Sequence, residues 1–188
     1  LTFVRRLIAL RQDHPVFRRR RFFQGRRIHG SDITDIVWLH SDGKEMDEAD
    51  WNQGHLRAIG LVLAGDAIEE KDARGNAIVD DTVVLLFNAH HESIPFVLPA
   101  CDERTSWVLM LDTCDPTPRR SSAVFKGGEP YTIEARSMAI FAGSLYTARD
   151  PSAPGPTALI HEQRHVYVCA GRLIGRAECA RPHHRAKE

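Results

Sequence analysis

Long apolar runs are absent from this sequence of 188 residues. Unbroken stretches such as 83–87 and 107–111 fall far short of the roughly 20 residues that a membrane-spanning helix needs, so no membrane partner is expected. Net charge is absent as well: 25 Lys and Arg offset 25 Asp and Glu. That balance removes the overall field that draws a nucleic-acid binder to its polyanion, and no nucleic-acid partner is expected. The four cysteines, Cys101, Cys114, Cys169 and Cys179, form no C-x-x-C pair; neither a zinc cage nor a disulfide framework is indicated, and reduced thiols are the simpler expectation. None of Asn52, Asn76 and Asn88 opens an N-x-S/T sequon, and the first apolar stretch is broken by Arg5 and Arg6 without a small-residue cleavage site. A cytoplasmic protein is expected from these signs. The G-x-S-x-G elbow, the P-loop and the G-x-G-x-x-G turn are also missing, so no cofactor is expected.

What is present begins with an amphipathic helix. Phe3, Leu7 and Leu10, flanked by Val4 and Ile8, recur at the spacing that paints one stripe on a helix, while Arg5, Arg6 and Arg11 fall mostly elsewhere. The helix should stop near Asp13, because the residue before Pro15 is pushed out of the helical region. Its apolar stripe has no evident cover in the sequence, and it is expected to belong to a partner: the chain reads as the tail of a longer enzyme. Without that partner the stripe is an aggregation or self-association surface.

The basic run Arg18-Arg19-Arg20-Arg21 is read as a solvated connector after the helix end rather than a phosphate site, although Phe22 and Phe23 offer a way to pin it to a surface. A short strand at 35–39 and a helical turn at 46–51 follow. Strand candidates then succeed one another at 56–63, 82–89, 94–98, 107–111, 131–135 and 137–141, each rich in branched or aromatic residues and bounded by Gly, Pro, Asp or Asn. Such a series predicts a mainly β fold, an antiparallel sandwich or barrel. Residues 146–188 read as a Pro-rich linker and an extension without sustained periodicity, expected to be poorly ordered.

Particular words carry a resemblance. They are Phe3-Val4-Arg5-Arg6-Leu7-Ile8-Ala9-Leu10-Arg11 with His14-Pro15-Val16-Phe17, then Asp35-Ile36-Val37-Trp38-Leu39, Asp42-Gly43, Glu45-Met46 and Asp50-Trp51. Asp80-Asp81-Thr82, Leu86-Phe87-Asn88-Ala89-His90-His91-Glu92, Phe96-Val97-Leu98-Pro99, Trp107 and Leu111-Asp112-Thr113 continue the series. In this order, over about residues 1–145, the chain resembles the C-terminal part of bacterial isoamylase-type glycogen debranching enzymes of the alpha-amylase superfamily.

The resemblance implies that residues 1–14 are the last helix of a (beta/alpha)8 barrel, 15–55 a connector and 56–145 a C-terminal β-sandwich. It implies a parent enzyme that hydrolyses α-1,6 branch linkages of glycogen by a retaining mechanism, with an Asp nucleophile and a Glu acid/base about 5 to 5.5 Å apart. Those carboxylates belong to the barrel, so no catalytic residue is assigned here. The implied partners are that barrel and, in the complete enzyme, a branched α-glucan.

Trp38, Trp51 and Trp107 could stack on sugar rings through their flat faces. Trp107 and Trp38 lie in apolar strands and are read first as core. Trp51 follows Asp50 in a polar segment, so Asp50 and Trp51, with Trp38, are the candidates for substrate contact at a cleft edge. An independent glucan-binding module is the alternative function. His90-His91-Glu92 has metal-ligand composition, but neighbours at a strand end are expected to point to opposite faces, and no metal site is assigned. His183 and His184 with Cys179 offer only opportunistic metal chemistry. Asp80, Asp81 and Asp112 are read as turn and strand-end residues.

Overall fold

A computed structural model describes residues 1–25, 34–100, 105–115 and 123–145 of the chain. The expectation for 146–188 lies outside the described residues, as do Cys101, Cys169, Cys179, His183 and His184. Helix α1 spans Thr2–Asp13 and stops at His14, whose backbone is extended ahead of Pro15. A 3-10 turn, Pro15–Arg18, follows.

Strand β1 is Ile36–Leu39, helix α2 Glu48–Trp51, and β2 Ala58–Leu63. The remaining strands are β3 Val83–Asn88, β4 Ile94–Val97, β5 Thr105–Asp112, β6 Val124–Lys126, β7 Pro130–Ile133 and β8 Ser137–Leu145. They form a six-stranded sheet in the order β1-β2-β3-β8-β5-β6 and a two-stranded sheet of β4 and β7, with antiparallel pairings throughout. This is the antiparallel β-sandwich expected from the strand series. β1, anticipated as part of the lead into the sandwich, is the edge strand of its larger sheet.

The inner core follows from the period-two alternation of strands. Val37, Leu39, Val62, Val84, Leu86, Ala139 and Phe141 point one way from the large sheet and meet Phe96, Tyr131 and Ile133 of the small one. Phe125, Tyr131 and Phe141 pack edge to face with centroids 5.0 to 5.8 Å apart, an arrangement that suits the aromatic quadrupole. Trp107 is 1% exposed in this core, as expected, and its indole N–H donates to Pro99 O at 2.8 Å. Tyr131 donates its hydroxyl to Asp112 Oδ2 at 2.6 Å, supplying a partner to a buried carboxylate.

The large sheet is apolar on its other face too, which explains the continuous apolar run of β3. Leu63, Val83, Leu111 and Ile140 form a second buried cluster with Val16 and Ile68, and Phe3, Leu7 and Leu10 of α1 pack against it. The helix is therefore not left uncovered by its own chain. Only the flanks of the expected stripe stay open: Val4 is 53% and Ile8 52% exposed. Between Leu109 and Leu111 the β5–β8 register shifts by a bulge, so Leu109 belongs to the inner core and Leu111 to the outer one. An inserted residue drops out of ladder pairing, and here the Met110 carbonyl accepts from Arg6 Nη2 of α1 at 2.5 Å.

The segment after α1 is strapped to the sandwich rather than solvated throughout. Asp80 accepts from Val16 N–H through Oδ2 at 2.9 Å and meets His14 Nδ1 through Oδ1 at 3.0 Å. Arg19 donates to Ala67 O, lies 3.9 Å from Asp35 and covers the Phe23 ring at 4.6 Å. Arg20 pairs with Glu70 and Arg21 with Glu69, while Phe22 is exposed. A basic run read from composition alone conceals this division, because the acids that meet it lie far along the chain.

Candidate functional site

Two of the three expected contact residues come together. Trp38 on β1 and Trp51 at the end of α2 meet edge to face, with ring centroids 5.6 Å apart and planes at 80°. Trp38 is 37% and Trp51 52% exposed. The first expectation for Trp38, core packing, is corrected by the alternation of β1: Val37 and Leu39 take the inner face, which turns Trp38 outward. Four consecutive apolar residues, Ile36 to Leu39, hide that choice from a reading of the sequence.

The pair sits on fixed backbone. Met46 N–H donates to Trp38 O at 2.9 Å, and His40 N–H to Lys44 O at 2.8 Å, so the chain reverses tightly after β1. Val97 N–H donates to Ser41 O, fastening this turn to β4. Gly43 at the turn has φ +82, and a Cβ there would stand 2.7 Å from Val97 O, so both the left-handed backbone and the close approach require glycine.

α2 is short and depends on its caps. Asp50 N–H donates to Asp47 Oδ1 at 2.9 Å and Asp47 N–H to Asp50 Oδ2 at 3.2 Å, a reciprocal capping box. Gln53 Nε2 donates to Asp50 Oδ1 at 3.0 Å. Asp50 is thus occupied in holding the turn that presents Trp51, a role that its expected substrate contact did not include. The role of Gln53 is not legible in the sequence, because an isolated Gln in a polar segment carries no pattern.

His90, His91 and Glu92 converge more than their adjacency suggested. The two imidazoles are 4.1 Å apart between centroids, and one ligand atom from each of the three residues falls within 4.8 Å of the others. The turn after β3 curls the backbone, so strand alternation no longer separates them. Yet Nδ1 of His90 faces Glu92 N–H at 3.2 Å and Nε2 faces the Arg57 guanidinium, so donors stand at both nitrogens. Desolvation, then the His91 and Arg57 charges, lower its pKa.

Asn88 lies beneath that turn, its amide N–H group directed at the carbonyls of Glu92, Ile133 and Glu134 at 2.8 to 3.2 Å. His14, Asp80 and Asp81 also bring ligand-type atoms within 4.8 Å, but both Asp80 oxygens are used in fastening α1 and its own turn. Asp112, with Oδ1 accepting from Cys114 N–H and Oδ2 from Tyr131, has the strand-end role read from the sequence.

The arrangement offers an exposed aromatic corner and a two-sided helix, and the comparison with known proteins gives it a family. The family model described as isoamylase, C-terminal, matches residues 35–142. The chain belongs to the isoamylase C-terminal family. This isoamylase C-terminal domain is 40% identical over 146 residues to a "Glycogen operon protein GlgX homolog" of Mycobacterium bovis, covering 77% of this chain and 20% of that protein. It is 27% identical over 128 residues to an isoamylase of Pseudomonas amyloderamosa, covering 68% of this chain and 14% of that one.

A pullulanase from Anoxybacillus sp. LM18-11, solved with maltotetraose, superposes with a TM-score of 0.41 at 14% identity, covering 73% of this chain and 14% of that one. That likeness is too distant to build on. The chain spans about a fifth of the length of the mycobacterial relative it matches. Among the described residues no helix is long and apolar enough to cross a membrane.

Proposed function

We propose that this domain is the noncatalytic C-terminal part of a glycogen-debranching glycoside hydrolase whose complete form cleaves α-1,6 branch linkages in the cytoplasm. Its work is mechanical: it holds the last helix of the catalytic barrel and covers apolar surface there. In this reading α1 with residues 1–14 is the barrel helix, and the sandwich runs from β1 to about residue 145. The reacting carboxylates are supplied by the barrel.

The observation that carries the reading is the two-sidedness of α1. Phe3, Leu7 and Leu10 rest on the outer face of the sandwich, while Val4 and Ile8, one turn apart, stay open on the same helix. A surface helix that meets one partner has one apolar stripe, so a second stripe needs a second partner, and a barrel wall provides one. In isolation the open stripe drives self-association.

The test is the release of linear glucan from branched glycogen by the purified chain. The expected result is none. Measurable debranching turnover by this chain alone would overturn the reading.

A further inference from the structure

Support of a barrel does not account for the Trp38–Trp51 corner. Two large aromatic side chains are held in solvent by a capping box on one side and a turn fastened to β4 on the other. Ordering them serves no inner packing, since Val37 and Leu39 already fill the core beneath β1. With planes at 80° and centroids 5.6 Å apart, the rings form a floor and a wall.

The geometry points to a glucan-binding surface site at Trp38 and Trp51, in which a pyranose ring lays its apolar C–H face on one indole and abuts the other. Trp51, the more exposed ring, is the platform. A sugar presents both a hydrophobic face and a fringe of hydroxyl donors, and the exposed Glu48 of the turn that bears Trp51 supplies a carboxylate acceptor, while Asp47 and Asp50 hold the capping box. A dry protein interface would desolvate the Glu48 carboxylate at substantial cost. A hydrated polyol leaves that carboxylate in water or donates a hydroxyl hydrogen bond to it. The choice of an α-1,4-linked chain rests on the debranching reading above; the aromatic corner itself selects a pyranose.

The experiment is native electrophoresis of the 188-residue chain in gels with and without glycogen, with maltoheptaose and the β-linked cellohexaose as soluble competitors. Glycogen should retard the chain, maltoheptaose should release it, and cellohexaose should not. Trp51→Ala should weaken binding at least tenfold, and Trp51→Tyr should retain part of it. Circular dichroism checks that both variants are folded. Trp38→Ala is a second variant whose effect should be in the same direction.

No retardation of the wild-type chain, equal retardation of Trp51→Ala, or equal release by cellohexaose would overturn the proposal. So would protection of Trp51 from iodide quenching when the chain is joined to a catalytic partner, because the corner would then be a protein contact. Failure of the debranching reading would show separately, in the absence of any such association, which a glycogen gel does not measure.

Discussion

His14 Nδ1 stands 3.0 Å from Asp80 Oδ1, and the other Asp80 oxygen takes the Val16 N–H, so one carboxylate ties the end of α1 to the loop before β3. The loop has little room to move: Asp80 N–H donates to Gly65 O at 3.0 Å, and a Cβ on Gly65 would lie 2.2 Å from the Asp80 carbonyl oxygen. The hydrogen bond to Asp80 is the main cause that raises the His14 pKa above 6.5; the charges of Asp80, Asp81 and Asp13 add to it and burial opposes it.

A pKa raised in the folded state means that the charged form stabilises the fold. This stability is fully present below the unfolded value of 6.5 and is lost as pH rises through the folded value. Hydrogen exchange along α1 should therefore quicken as pH climbs above neutrality, beyond the intrinsic base-catalysed rate. Asp80→Asn should lower the His14 pKa, followed by NMR, and flatten that response. An unshifted His14 with pH-independent opening of α1 would refute the linkage.

Asn88 supports two turns at once through three carbonyls. Replacing it with Ala leaves those acceptors without a shared donor, and an unsatisfied buried group costs about 1–3 kcal/mol. Urea denaturation should show Asn88→Ala less stable by at least about 2 kcal/mol. A change below about 0.5 kcal/mol would mean that water replaces the amide.

Much of this architecture is legible in the sequence, and the gaps have physical causes. The strand containing Trp107 is evident from its apolar run, but a continuous run carries no alternation and so hides the bulge at Met110 and the change of face between Leu109 and Leu111. β6 has only three residues and owes its existence to pairing with β5. The α1 stripe of Phe3, Leu7 and Leu10 is legible from its spacing, but its cover is not: Leu63, Leu111 and Ile140 of the same chain take the place of the absent partner expected for it, because they lie far along the sequence. The exposure of Trp51 is legible from its polar setting, whereas the outward turn of Trp38 follows from the alternation of β1, which gives the inner face to Val37 and Leu39.

Tyr131 and Asp112 form a buried pair at 2.6 Å. Tyr131→Phe keeps the ring contacts with Phe125 and Phe141 and removes only the donor. Hydrogen bonds to a charged group contribute about 1.5–3 kcal/mol, and a loss of that size is expected in thermal or chemical denaturation. Unchanged stability would show that Asp112 finds another donor.

The two sides of α1 should respond differently to substitution. Leu7→Ala removes half-buried contacts with the outer cluster and should cost about 1–2 kcal/mol, less than the 2–5 kcal/mol typical of fully buried leucines. Ile8→Ala, on the open side, should stay within about 0.5 kcal/mol of wild type. Removing residues 1–13 exposes Leu63, Val83 and Ile140 and should lower both stability and solubility, seen as a reduced Tm and a larger scattering signal. Equal effects of Leu7→Ala and Ile8→Ala would contradict the division.

The most direct measurement of the central claim adds this chain to the isoamylase of Pseudomonas amyloderamosa from which the C-terminal domain has been removed, and follows release of linear glucan from glycogen. The account predicts that the wild-type chain restores debranching and that the double variant Val4→Asp, Ile8→Asp, although folded, does not. Restoration by the double variant to the wild-type level would contradict the account, as would a truncated relative fully active without any added chain.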